Sequence, residues 1–207
     1  MRYLLLSVLV VCVIGVMIPN AFAATWTDPN NRFSIEYPTG WTVVEYPIPD
    51  IIIRVLDTPY NWNTYFNVEF FEDIDYVGTS DSNILREMEK IERDTCNSSS
   101  YQDDGFICYN YKLNDVSVAY TEENRKAYFI DQQYSKQYSD PDYPGEFLMR
   151  STVLEVHDGN GVWYIFSEIN PGAVDQYLGQ MIRSSYSFNL LQGVAVTQST
   201  STPSYFF

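Results

Sequence analysis

At residues 33–37 and again at 65–71 the apolar positions recur at every second residue, the period of a half-buried strand. Phe33, Ile35 and Tyr37 alternate with Ser34 and Glu36. Pro38-Thr39-Gly40 supplies a turn, and Trp41-Thr42-Val43-Val44 opens a returning strand. Ile51 to Leu56 is a short, β-branched run, and Phe66, Val68 and Phe70 share one face of a strand from Tyr65 to Phe71. The first third of the chain therefore reads as antiparallel strands joined by turns.

The period then changes. Ser80-Asp81-Ser82 offers oxygens for a helix N-terminus, and Ile84, Leu85, Met88 and Ile91 follow at helical spacing with charged residues between them. The spacing predicts a helix ending near Asp94. Strand patterns return at Phe106–Leu113, Val116–Tyr120 and Lys126–Gln133, and the polar, proline-containing stretch from Tyr134 to Gly145 predicts a loop. Phe147–Val156 and Val162–Glu168 flank Asp158-Gly159-Asn160-Gly161, a strong hairpin signal because Gly and Asn tolerate positive φ. Asn170 and Pro171 open a last helix whose apolar stripe is Val174, Tyr177, Leu178, Met181 and Ile182, after which Phe188 and Leu190 close the unit. The order is strands, helix, strands, helix, with hairpin connections. That pattern predicts an α+β fold: an antiparallel sheet with helices on its faces.

Both ends of the chain depart from this pattern. Met1-Arg2 carries a positive charge, Tyr3 to Ile18 is almost wholly apolar, and Pro19-Asn20 precedes Ala21-Phe22-Ala23. A charged start, an apolar run and a small-x-small site are the features of a secretory signal peptide, which sets 1–23 as a removable segment. The competing reading is an uncleaved anchor, but a spanning helix needs about 20 apolar residues and this run is shorter. Cys12 lies within the run with apolar residues after it, a poor position for a lipid acceptor. From residue 193 the composition shifts to Gln, Ser and Thr, which predicts a flexible tail over 193–207 and a single domain over 24–192. The expected location is secreted or extracytoplasmic, with no membrane insertion once the signal is removed.

Charge narrows the partners. The formal net charge is −15, and removal of Arg2 makes it more negative. Nucleic acid and anionic lipid are thereby disfavoured as partners. The acids are scattered over the chain, as on a solvated surface. Outside the apolar start only Cys96 and Cys108 occur, and in an oxidising compartment an isolated pair is read as a disulfide. Such a short loop is worth on the order of 3 kcal/mol. Asn97-Ser98-Ser99 is an N-glycosylation sequon in a polar run.

Catalytic signals are lacking. His157 is the one histidine, so a nucleophile–histidine pair has a single possible base, placed just before a hairpin turn. Histidine-based zinc or iron sites are excluded on the same count. No phosphate-cradling glycine loop occurs, and nothing singles out two carboxylates for glycoside chemistry. Weak cation candidates are the loop acids Asp73 and Asp75, and Asp140 and Asp142, none with the spacing of a known calcium loop. Tyrosine is abundant, at 18 residues, and two groups fall in expected loops: Tyr60, Trp62 and Tyr65, and Tyr134, Tyr138 and Tyr143. Loop aromatics are common contact anchors, which makes these six the candidate partner contacts.

The segment Asp28-Pro29-Asn30-Asn31-Arg32-Phe33-Ser34-Ile35-Glu36-Tyr37-Pro38-Thr39-Gly40-Trp41 resembles the opening of the PsbP family, a D-P-x-x-x-F entry followed by an alternating strand and Y-P-x-x-W. The last helix leading into Ser187-Phe188 also fits. The resemblance implies an α-β-α sandwich around an antiparallel sheet, and an exported accessory module rather than an enzyme. The photosynthetic member is an extrinsic subunit of the oxygen-evolving complex that helps retain calcium and chloride. The same fold elsewhere binds a nuclear-transport GTPase. Fold alone does not fix function. Histidine metal ligation does not carry over, since His157 stands alone. The expected function is a non-enzymatic module that binds or stabilises a protein partner at the outer face of the cell membrane. A low-affinity calcium-binding surface protein is the alternative, and a hydrolase ranks third. Thiol titration of the secreted protein under denaturing conditions, without reductant, is expected to find no free thiol; two would exclude the Cys96–Cys108 bond.

Overall fold

The computed structural model describes residues 23–45, 51–57, 64–72, 79–100, 102, 104–140 and 145–191. The expected signal segment before Ala23 and the expected tail over 193–207 lie outside them. The described elements are β1 (Ala23–Thr27), β2 (Phe33–Pro38), β3 (Thr42–Glu45), β4 (Ile51–Leu56), β5 (Tyr65–Glu72), α1 (Asp81–Ser98), β6 (Phe106–Tyr120), β7 (Lys126–Tyr138), β8 (Glu146–His157), β9 (Gly161–Ile169), α2 (Val174–Tyr186) and β10 (Asn189–Leu190). Seven strands form one antiparallel sheet in the order β3-β4-β5-β9-β8-β7-β6. A second, three-stranded sheet, β1-β2-β10, is also antiparallel.

The large sheet has a layer on each face. One face carries α2 and the small sheet, the other carries α1 over β6 and β7. Phe33, Trp163 and Phe188 are the aromatic centre of the first interface, with ring centroids 5.1 to 5.5 Å apart. Ile35, Ile165, Val156 and Met181 complete it, all essentially without solvent contact. Across the sheet, Ile84 and Met88 of α1 pack on Tyr128, Ile130 and Val153. The expected α+β fold, with helices on the faces of an antiparallel sheet, is thus observed.

The motif that suggested the family has a structural role. Asp28 lies at the end of β1 with its side chain buried, and its carboxylate accepts hydrogen bonds from Arg32 Nε (2.8 Å), Nη2 (2.9 Å) and the Arg32 backbone N–H (3.1 Å). This clamp closes the turn that delivers Phe33 to the core. The hairpin between β8 and β9 is fixed in a similar way. Asp158 Oδ1 accepts from the N–H of Asn160 and Gly161, and Oδ2 accepts from Trp163 Nε1 at 2.8 Å. Gly161 must be glycine, because a Cβ there would lie 2.2 Å from the Phe71 carbonyl oxygen of the paired strand.

Several sequence expectations are corrected. Residues 106–120 form one strand rather than two, with register shifts near Tyr109/Lys112 and Leu113/Asp115 and a positive φ of 55° at Asn110. Bulges of this kind break the alternation without ending the strand. The first helix runs to Ser98 rather than Asp94, so Cys96 sits in its last turn. Its end is held by Ser99, whose Oγ donates to the Cys96 carbonyl at 2.8 Å and accepts from the Cys108 N–H at 2.6 Å. Tyr134 and Tyr138 are not in a loop: β7 continues to Tyr138, paired with β6 on one side and β8 on the other. Strand β1, which the pattern did not reveal, pairs with β2 from Ala23↔Pro38 to Thr27↔Ser34.

Burial alone would raise the Asp28 carboxyl, but the hydrogen bonds from the Arg32 side chain and backbone outweigh it and hold it below the usual value. A depressed carboxyl contributes stability that is full above its unfolded pKa of about 3.9 and is lost as pH falls through the folded value. Asp28→Asn is expected to cost about 1–3 kcal/mol at neutral pH. The gap to the parent should close below about pH 3.9. Denaturant titrations at the two pH values measure both.

Candidate functional site

The face of the sheet under α1 changes character along its length. Near the start of β7 it is apolar, but the same face further along carries Gln132, Tyr134 and Lys136, every second residue of one strand. Two strands away, β9 presents Tyr164, Phe166 and Glu168 to that side. The second half of α1 stands over this region and leaves a cleft of about 720 Å3. Its floor includes Tyr65, Tyr134, Lys136, Phe166 and Glu168; Glu92, Thr95, Ser98, Ser99 and the Cys96–Cys108 pair form the helix side; Asp104 and Phe106 complete the lining.

Charged groups on the floor are held by one another. Glu168 is 1% exposed and Lys136 is 8% exposed. Glu168 Oε2 accepts from the Tyr134 hydroxyl at 2.5 Å and from Lys136 Nζ at 2.7 Å. The Lys136 ammonium also lies 4.2 Å from the centroid of the Phe106 ring and 5.7 Å from that of Tyr134. Burial outside water makes such a pair tolerable only with further hydrogen bonds, which Tyr134 supplies. Both neighbouring phenols are held neutral: burial, then the Glu168 charge, raises Tyr134 and Tyr65 well above the ordinary tyrosine value.

A second carboxyl occupies the helix wall. Glu92 accepts hydrogen bonds from the Tyr164 hydroxyl and, at 2.6 Å, from Gln132 Nε2. Burial raises its pKa; these two hydrogen bonds pull it back and Glu155 adds to the rise. Tyr164 in turn is raised well above its ordinary value by burial and by Glu92. Beyond Glu92, the aromatic run Tyr65, Phe166 and Tyr164 continues the floor, with centroid separations of 6.1 and 6.2 Å.

The sequence candidates divide among these surroundings. Cys96 and Cys108 form the expected disulfide, with a Cα–Cα separation of 4.9 Å, and line the cleft rim. Asn97 is exposed on the last turn of α1, beside that bond. Tyr65 begins β5 on the cleft floor. Tyr134, expected on a loop as a contact anchor, is 6% exposed and directed to Glu168, because β7 continues through it, paired there with Met149 of β8. Tyr138 is half-buried at the end of the same strand. Asp140 is exposed after β7. Tyr60, Trp62, Asp73, Asp75, Asp142 and Tyr143 lie outside the described residues. Among the described residues no group of three or more His, Cys, Asp and Glu is placed to hold a metal ion. His157 is distant in sequence register from the cleft, near Glu155 (3.3 Å) and the Tyr128 ring at the other end of the face.

Sequence reasoning missed Glu92, Lys136, Phe166 and Glu168. The signal was present in the periodicity. Glu92 stands four residues after Met88 on the apolar stripe of α1, and Lys136 and Glu168 fall on the inward phase of their strands. Charges in inward phase mark either an internal pair or a site, and here they are paired. A carboxyl raised by burial favours the folded state below its unfolded pKa of about 4.3, and that advantage is lost as pH rises through the higher folded value. Glu92→Gln should therefore gain melting temperature relative to the parent between about pH 4 and about pH 8. A difference that stays constant across that range, in thermal scans, would show that the carboxyl titrates alike in both states.

No protein-family model and no curated protein matches the sequence. Solved structures do. Cyanobacterial PsbP from Synechocystis superposes with a TM-score of 0.55 at 15% identity, covering 84% of this chain and 95% of its own. The Ran-binding protein Mog1p of Saccharomyces cerevisiae superposes with a TM-score of 0.51 at 9% identity, covering 82% of this chain and 95% of its own. At such identities the likeness is one of fold. The mostly antiparallel sheet between helical layers is the fold shared by PsbP and Mog1p.

Proposed function

We propose that this chain is an exported, non-catalytic binding module that binds or stabilises a protein partner at the outer face of the cell membrane, and that the face bearing α1 and the cleft meets that partner. The observation that carries the reading is the state of the cleft's polar groups. Glu168 is tied to Tyr134 and Lys136, and Glu92 to Tyr164 and Gln132. Groups bonded to one another in this way make a rigid, shaped floor, the arrangement of a preformed site. A nucleophile beside a free base is a different arrangement, and His157, the one imidazole, lies at the other end of the sheet face.

Two further points support it. The fold is shared with the Ran-binding protein Mog1p and with PsbP. The apolar opening segment and the Cys96–Cys108 bond both suit an oxidising compartment outside the cytoplasm. Among the described residues no helix is long and apolar enough to cross a membrane, so attachment to the surface falls to a partner or to the opening segment.

Site-specific photocrosslinking in the native host tests the reading. A benzophenone side chain in place of Thr95, on the cleft rim, is expected to give one discrete membrane-associated adduct. The same group in place of Glu123, exposed at the far end of the sheet, should give none. Equal labelling from both positions, or none from either, would remove the assigned face.

A further inference from the structure

The cleft floor contains an arrangement usually built to bind a cation: a buried carboxylate, Glu168, beside the aromatic rings of Phe106 and Tyr134. That position is already filled. The ammonium of Lys136 sits on Glu168 at 2.7 Å and over Phe106 at 4.2 Å, so an incoming amine would meet like charge. Anions meet Glu92, Asp104 and Glu168 on the lining and a net charge of −15 over the chain. A purely apolar ligand would strip water from Lys136 and Glu168 and return no hydrogen bond.

What the floor leaves open, among the described residues, is a set of hydrogen-bond positions on groups whose charges already balance. An ammonium has three N–H donors, and among the described residues Lys136 uses one. Among the described residues Glu168 receives its hydrogen bonds on Oε2, leaving Oε1 as an acceptor. The Tyr65 hydroxyl, on the same floor, bonds to no described group, and burial keeps it protonated. Beside these lies the half-buried ring of Phe166. Charged donor, charged acceptor and hydroxyl next to an aromatic surface match a ligand with adjacent hydroxyl groups on one side and C–H groups on the other.

We propose that the cleft takes a neutral saccharide, with its hydroxyls on Lys136, Glu168 and Tyr65 and the C–H face of a sugar ring against Phe166. The volume of about 720 Å3 accommodates a short oligosaccharide. This rests on the reading of the α1 face as the binding face, and it names the ligand class that enters the cleft itself. Charge-assisted hydrogen bonds to a neutral ligand do not depend on long-range attraction, so the affinity is insensitive to salt.

The test is calorimetric titration of the mature protein with maltotriose, cellotriose and chitotriose, with trilysine as the cationic comparison, each at low and high salt. At least one trisaccharide is expected to bind in the millimolar range or tighter with no salt dependence. Lys136→Met should weaken it about tenfold or more, the loss of a hydrogen bond to a charged group. Glu123→Gln, on the far end of the sheet, should leave it unchanged. Tyr65→Phe removes only a hydroxyl that bonds to no described group, and should weaken binding severalfold even if Lys136→Met does not fold. Binding by none of the three sugars, or tighter salt-sensitive binding of trilysine, overturns the ligand class, while the Thr95 crosslink would still support the module. Shorter sugars in the chromatographed titration mixture would overturn the non-catalytic reading and leave the saccharide cleft standing.

Discussion

Strands β7, β8 and β9 lie in the interior of a sheet covered on both faces, so each side chain they bury must be apolar or bring its own partner. This constraint governs the rest of the molecule. On the face under α2 it is met with hydrocarbon and aromatic packing around Phe33, Trp163 and Phe188. On the face under α1 it is met with Ile84, Met88 and Ile130 at one end and with hydrogen bonds at the other. The change from packing to bonding along a single strand, between Ile130 and Lys136, is what opens a polar cleft in an otherwise apolar interface.

The sequence displayed the first solution far better than the second. Alternation at Phe33-x-Ile35-x-Tyr37 and the stripe of α2 are local patterns, and a strand or helix follows from each. The hairpin at Asp158-Gly159-Asn160-Gly161 was legible because turn geometry demands those residue types. The end of β7 was not, since Ser135, Lys136 and Gln137 give a strand the composition of a loop. Only pairing on both sides makes it a strand, and pairing is a property of residues far apart in the chain. Likewise Asp28 looked like a motif letter until Arg32 was seen wrapped around it.

The site follows the same division. Tyrosine abundance suggested aromatic contact loops but placed Tyr134 outside rather than inside. A tyrosine has an apolar body and one polar atom, so its exposure depends on whether that atom finds a buried acceptor. Glu168, thirty-four positions later, is that acceptor. No spacing rule connects Glu92, Lys136 and Glu168. They meet because α1 crosses one end of a sheet whose neighbours are not consecutive: β5 lies beside β9, with a helix and three strands between them in the chain.

The rim of the cleft is closed by Cys96 on the last turn of α1 and Cys108 on the edge strand β6, with the Ser99 hydroxyl bridging the two backbones beside them. Thiols held in a reducing cytosol do not keep such a bond. The last turn of the helix and the edge strand would then be held by the Ser99 hydrogen bonds and by packing around Tyr134 and Met149. The finished shape of the cleft is thus tied to the redox potential of its surroundings, and the rim is complete only where the protein can be oxidised.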